Sequence, residues 1–269
     1  MEKVEKFRIK YKVTAYDMDV VYRMTPNAML MYFQDCFANY LSGKHLAAFD
    51  IADKNLIWMI TEFEVSVVGQ RPYWSEDILV EIWFSGISAV KSHMDFRLYD
   101  KDGRLFSYGT STWIILNYAT KRPCSPLALL SDGTIPASRK KKSTLPSCEI
   151  DSCWQSFEHK VNVTDLDFNG HVCNRSYLAL AASAFSVEFV RTHDLFFLQI
   201  KFMNEAFFGD VLTCEVFRHT ESTSYWSQII NAENKPVCEI YSRWVGHETP
   251  CVKRISEEIS HPEADCFHK

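Results

Sequence analysis

Polar and apolar residues alternate along residues 157–163, and residues 174–190 then run long and largely apolar without Gly or Pro. A period of two giving way to such a run predicts a half-buried strand followed by a buried helix. The chain opens the same way, with an alternating stretch from Phe7 and an apolar run over residues 27–41. Each half continues with a further alternating strand, at 56–68 and 195–202, and then with another, at 74–82 and 208–216. Each closes on a hairpin signal, Asp102-Gly103 ahead of Trp113 and Glu233-Asn234 ahead of Trp244.

Sliding the chain over itself places Phe7 on Phe157, Lys10 on Lys160, Val13 on Val163, Thr14 on Thr164 and Asp17 on Asp167. The sequence therefore reads as two copies of one unit, strand, helix, then several antiparallel strands. An apolar helix beside short alternating strands is buried most simply when the sheet wraps around it, which predicts an α+β fold. The expected divisions are a first unit at 1–120, a linker at 121–153 containing Pro123, Pro126, Pro136 and Pro146, a second unit at 154–250, and a polar tail at 251–269.

Composition narrows the function classes. The chain has 269 residues, 47% of them hydrophobic, enough for a substantial core. A formal net charge of -5 argues against non-specific nucleic-acid binding. No run approaches a membrane span and the N-terminus has no apolar signal core, so a soluble cytoplasmic protein is expected. Nine scattered cysteines without a CxxC pair predict reduced thiols and no structural metal site.

Candidate chemistry concentrates in the strand-to-helix loop, where Asp165, Asp167, Asn169 and His171 recur at alternate positions. A calcium loop is one reading of Asp165, Asp167, Asn169 and Gly170. Its twelfth position is Ser176 instead of Glu, and a strand precedes it instead of a helix. The plain alternative is a turn whose Asp and Asn side chains cap their own backbone. Asn174 is a plausible helix N-cap, and free N–H groups near Cys173 and Asn174 suit a developing oxyanion. Cys173 itself reads more simply as a small space-filling residue. In the alignment of halves Asn169 falls on Asp19, His171 on Val21 and Glu205 on Pro72, so only the second half carries the imidazole and the carboxylate. Glu205 stands among Met203, Ala206, Phe207 and Phe208, where burial would raise its pKa toward that of a base.

The run from Asp165 to Asn174, the apolar helix after it, and Leu198-Gln-Ile-Lys-Phe-Met-Asn-Glu205 together resemble the acyl-acyl carrier protein (acyl-ACP) thioesterases, from about Phe7 to His247. The resemblance implies a tandem (double) hotdog fold and hydrolysis of a fatty acyl-ACP thioester without metal or redox cofactor. It places the catalytic set on Asp167, Asn169, His171 and Glu205. Plant members usually carry Cys after that Glu; Ala206 here disfavours covalent catalysis at that position. No transit peptide precedes Phe7, so a bacterial origin is expected. Thioester hydrolysis needs an activated water and a place for the oxyanion. On this reading His171 and Glu205 prime the water, Asn169 orients it or the carbonyl, and Asp167 holds the loop.

The acyl tunnel is expected in the first unit, near Met29, Phe33, Trp58 and Met59, although each is also ordinary core material. The basic run Arg139, Lys140, Lys141 and Lys142 is either a solvated loop or the contact for an acidic carrier protein. An acyl-CoA thioesterase and a non-catalytic acyl-binding hotdog protein are the alternatives, and both a monomer and a homodimer fit.

Overall fold

The two alternating-then-apolar patterns fold as two strand-and-helix units in the computed structural model, which describes residues 5–130, 153–219 and 223–246. The first unit contains β1 (Phe7–Lys12), α1 (Pro26–Ser42), α2 (Ala48–Ala52), β2 (Leu56–Val67), β3 (Asp77–Ser88), β4 (Lys91–Tyr99), β5 (Leu105–Asn117) and the short β6 (Arg122–Cys124). The second contains β7 (Cys153–Lys160), α3 (Asn174–Ala182), α4 (Val187–Thr192), β8 (His193–Phe202), β9 (Val211–Arg218), β10 (Ser224–Asn231) and β11 (Pro236–Gly246). Single 3-10 turns at Ala15–Asp17 and Val163–Asp165 follow β1 and β7.

One antiparallel sheet carries every strand among the described residues, in the order β1-β3-β4-β5-β2-β8-β11-β10-β9-β7, with β6 added beside β5. Counted outward from the centre, β2, β5, β4, β3 and β1 on one side answer β8, β11, β10, β9 and β7 on the other. The halves join through β2 and β8, where Phe63 lies opposite Ile200 and Val65 opposite Leu198. All four side chains are buried, so the seam is core. This is the tandem hotdog fold.

Helix α1 starts where Thr25 accepts the Ala28 N–H and Pro26 occupies the first helical position. Leu30, Phe33, Phe37 and Leu41 then recur at helical spacing and are buried against the sheet. The Phe33 ring lies 4.6 Å from Phe96 and 5.7 Å from Phe63, and Phe37 lies 4.6 Å from Trp113. Burying each such ring contributes about 1.5–3 kcal/mol.

The single helix expected over 174–190 is two. Ser183 closes α3 with its Oγ on the Ala179 carbonyl, and Ser186 starts α4 by accepting the Phe189 N–H. The break turns Phe185 and Phe189 onto Tyr225 and Trp244, at ring separations of 4.8–5.6 Å. The strands expected to open at Trp74 and Phe208 begin instead at Asp77 and Val211, because Ser75 and Gly209 take positive φ values of 66° and 88° and turn the chain first. The two hairpins fall where expected, with Gly103 and Asn234 in the left-handed region.

Of the stretch read as a linker, its first residues form β6 on β5, with Pro123 opposite Leu116. Arg139, Lys140, Lys141 and Lys142 and the tail at 251–269 lie outside the described residues. Among the described residues no helix is long and apolar enough to cross a membrane. The described cysteines are free thiols.

Candidate active site

Local hydrogen bonds build the loop between β7 and α3 one residue at a time. The Asn162 side chain accepts the Thr164 N–H, and Asp165 Oδ2 accepts the Asn162 N–H at 2.9 Å and the His159 ring nitrogen at 2.8 Å. Burial works against ionising Asp165, and the Asn162 N–H and His159 outweigh it, holding this carboxyl below its usual range. From Asp167 to His171 the chain doubles back. The Asp167 N–H bonds the His171 carbonyl at 2.8 Å, and Gly170 sits at φ 78°. Asp167 Oδ1 accepts the N–H groups of Asn169 (2.8 Å) and His171 (3.2 Å), and Asp167 Oδ2 meets Asn169 Nδ2 at 3.4 Å. Asp167 is thus the pin of the turn, and Asn169 is oriented by it.

Bridging between His171 and Phe207, with the Val172 N–H on the Ala206 carbonyl at 2.9 Å, lays the segment after β8 beside this turn. That contact brings Glu205 to the imidazole across thirty-odd residues of sequence. His171 Nε2 and Glu205 Oε1 are 3.8 Å apart, too far for a direct hydrogen bond, and both side chains are about a quarter exposed. The Phe207 ring packs its edge against the imidazole at 5.2 Å.

His171 and Glu205 open on a cavity of about 470 Å³ that both units enclose. Asp167, Asn169, Asn174, Tyr177 and Phe202 line it from the second unit, and Trp58, Met59, Trp113 and Leu116 from β2 and β5 of the first. A contiguous mouth passes Phe49, Tyr118, Lys121 and Phe168, where the Phe49 and Phe168 rings bridge the units at 5.7 Å. Trp58 and Met59 therefore face this space. Met29 and Phe33 do not, being fully buried in the packing between α1 and the sheet. Asn174 lines the cavity, whereas the Cys173 N–H, read from sequence as an oxyanion donor, is committed to the Asp165 carbonyl at 2.7 Å. Among the described residues no group of His, Cys, Asp and Glu is arranged to hold a metal ion. Tyr177, Trp113 and Lys121 line the space without having been singled out in the sequence; Tyr177 was hidden there as one more member of an apolar helix.

The first unit repeats the backbone of this site with other side chains. The Asp19 N–H bonds the Arg23 carbonyl, Asp19 Oδ1 accepts the N–H groups of Val21 and Arg23 at 3.0 Å, and Tyr22 takes φ 60° where the second unit has Gly170. Arg23 bridges Tyr73, and the Met24 N–H bonds the Pro72 carbonyl. Position for position, Asp19 answers Asp167, Val21 answers Asn169, Arg23 answers His171 and Arg71 answers Glu205. The alignment that put Asp19 on Asn169, Val21 on His171 and Pro72 on Glu205 is corrected accordingly. Arg71, 4% exposed, donates to Asp19 at 2.7 Å, to Asp194 of β8 at 2.8 Å and to the Met24 carbonyl at 2.9 Å. Burial disfavours its cation, and Asp19 and Asp194 outweigh that. A second cavity of about 480 Å³ opens there, lined by Leu178, Ala181, Leu198, Ile240 and Trp244.

An acyl-ACP thioesterase N-terminal domain matches residues 4–127, and an acyl-ACP thioesterase C-terminal domain matches residues 151–246. The chain belongs to the acyl-ACP thioesterase family. Among its relatives in that family is the chloroplastic palmitoyl-acyl carrier protein thioesterase of Gossypium hirsutum, 22% identical over 216 residues that cover 74% of this chain and 52% of the relative. The chloroplastic oleoyl-acyl carrier protein thioesterase 2 of Arabidopsis thaliana is 22% identical over 233 residues, 79% of this chain and 63% of the relative. The chain thus spans between about half and two thirds of the length of these relatives. An acyl-ACP thioesterase from Bacteroides thetaiotaomicron shares the fold at a TM-score of 0.78 and 18% identity, covering 89% of this chain and 98% of that one. The 12:0-ACP thioesterase from Umbellularia californica does so at 0.76 and 17%, covering 90% and 98%.

Proposed function

We propose that this chain hydrolyses fatty acyl-ACP thioesters to the free fatty acid and the carrier protein. The observation that carries the reading is the facing pair, His171 Nε2 and Glu205 Oε1, 3.8 Å apart at the lip of a cavity walled by Trp58, Met59 and Trp113, in a chain of the acyl-ACP thioesterase family.

A water held between imidazole and carboxylate attacks the thioester carbon, its proton passing to the pair as the new C–O bond forms. The C–S bond then breaks, and the same proton is returned to the departing thiolate. Asn169, held by Asp167, orients the water or the carbonyl, and the Asn174 N–H at the start of α3 meets the developing negative charge. The second unit (154–250) supplies this chemistry and the first (1–120) supplies the wall for the acyl chain. Arg139, Lys140, Lys141 and Lys142 are assigned to the acidic face of the carrier, an attraction that salt weakens.

The test is release of free thiol from a panel of acyl-ACP and acyl-CoA substrates. Acyl-ACP is expected to turn over faster, and its kcat/KM to fall more steeply with salt. Preference for acyl-CoA at every salt concentration would replace the carrier assignment. Tight acyl binding without thiol release would replace hydrolysis by a binding function.

A further inference from the structure

The site described so far is short of donors for the negative charge that forms on the carbonyl oxygen. Oxyanion sites commonly use more than one N–H or O–H aimed at that oxygen. The Cys173 N–H is held by the Asp165 carbonyl. Other hydroxyl and indole donors lining the cavity are also committed: Thr61 Oγ1 to the Thr112 carbonyl, Trp58 Nε1 to the Leu46 carbonyl and Trp113 Nε1 to Ser111 Oγ.

Tyr177 is different. It stands on the first turns of α3, on the cavity wall that also carries Asn174, His171 and Glu205, and is 4% exposed. Its ring packs 6.2 Å from Phe202, and no protein group among the described residues accepts its hydroxyl. The ring is buried while the hydroxyl, committed to no protein group, opens onto the cavity, so this O–H is free to donate to a molecule bound there. The repeat adds a separate observation. The correspondence that sets Arg23 against His171 carries Met29, a residue of similar reach without a hydroxyl, onto Tyr177. The O–H is therefore absent from the half that lacks His171 and Glu205.

We infer that Tyr177 is a further catalytic residue, whose O–H donates to the thioester carbonyl oxygen and, with the Asn174 N–H, stabilises the tetrahedral oxyanion. The role requires the phenol to keep its proton. Burial first, then the nearby carboxylates of Asp210, Glu205 and Asp167, push its pKa upward, which secures that. No proton leaves Tyr177 during the cycle; the bond shortens as charge builds on oxygen and relaxes when the C–S bond breaks.

This assignment rests on the thioesterase reading, and one experiment separates the two. Steady-state hydrolysis of an acyl-ACP is compared for the unaltered protein, Tyr177→Phe and Tyr177→Met, alongside thermal melting and the pH profile of kcat. Phe keeps the ring in place and Met copies the first unit. The expected result is a kcat lower by roughly 10²-fold in both variants, with KM and the pH profile kept and melting little changed, the pattern of an interaction made mainly in the transition state. If both variants keep kcat within about twofold, or if only KM moves, the inference is overturned while the thioesterase reading stands. If the unaltered protein releases no thiol, that reading falls and this inference with it.

Discussion

The loop that ends in His171 and the loop that ends in Arg23 share a backbone and almost nothing of their chemistry. Both pivot on an aspartate, Asp167 or Asp19, that accepts two N–H groups of its own turn. Both are clamped by the segment after the long central strand, through Val172 on Ala206 or Met24 on Pro72. Around that frame the second unit leaves its imidazole and carboxylate apart, partly solvated and facing a cavity. The first unit instead closes Arg71 on two carboxylates, one of them from the other unit. One copy keeps its polar groups available for a substrate, and the other uses them to fasten the halves together.

The sharpest way to break that contrast is to remove the available groups. Glu205→Gln and His171→Ala are each expected to lower kcat for acyl-ACP by about 10²–10⁴-fold, the usual worth of general-base assistance, with the fold retained. Thiol release measured at saturating substrate decides it, and near-normal turnover in both would dissolve the difference between the halves.

Next in size is the converse change. Arg71→Met leaves Asp19 and Asp194 without their cation, and losing one partner of a buried ion pair costs about 3–5 kcal/mol. Because the Asp194 side chain remains 39% exposed, the low end, about 3 kcal/mol, is expected. Urea unfolding at pH 7 measures it. Activity per folded molecule should be unchanged, so a variant of normal stability but impaired turnover would show that the arginine serves the reaction.

The same contrast explains what could be read before any coordinates. Alternation and apolar runs point to the strand-and-helix order of each half, the hairpins and the loop between β7 and α3, because burial on one face imposes those periods directly. The correspondence between halves was misread by two residues at the loop. A slip of two keeps every strand residue on its own face, so Phe7 over Phe157 and Lys10 over Lys160 look as good as the true register. Only hydrogen bonds such as Val13 N–H to Glu76 and Val161 N–H to Asp210 distinguish them. Arg23 escapes notice for that reason, and Arg71 because setting Pro72 against Glu205 is one residue out of register. The break between α3 and α4 was illegible for another: it depends on Ser183 and Ser186 meeting the backbone and on Phe185 and Phe189 finding Tyr225 and Trp244, partners far along the chain. Residue type and setting mark out His171 and Glu205 one by one, and the resemblance joins them in one set; what brings them together in space is the bridge from His171 to Phe207.

A smaller difference separates the outer edges. Lys6 and Arg8 reach the buried carboxylate of Glu81, at 2.9 and 2.6 Å, whereas the corresponding Glu215 of β9 faces uncharged Ser156. Burial alone would raise the Glu81 pKa; the two cations outweigh it and hold it below the usual carboxylate range. A folded-state value below the unfolded one means the stabilisation is complete at pH above the unfolded value and is lost as pH falls through the folded one. Glu81→Gln should therefore cost about 1–2 kcal/mol at pH 7 and progressively less in acid. Glu215→Gln should cost less at pH 7. Denaturant midpoints across pH report both, and equal costs would erase the distinction between the edges.

The smallest expected effect tests whether the shared backbone is truly interchangeable. Gly170 sits at φ 78° in the turn before His171, a conformation that side chains seldom adopt, and an added Cβ there would meet nothing within 4 Å. Tyr22 holds the equivalent place in the first unit at φ 60°, so this frame already accommodates a side chain. Gly170→Ala is accordingly expected to cost only about 1 kcal/mol, the intrinsic penalty of the left-handed region, and to leave kcat within a few-fold. The Asp167 bonds to Asn169 and His171 do not depend on the missing Cβ. Melting temperature and turnover measured together check it. A collapse of kcat without loss of stability would mean that the substrate lies close over Gly170, and this turn would then need glycine for a reason that its twin does not share.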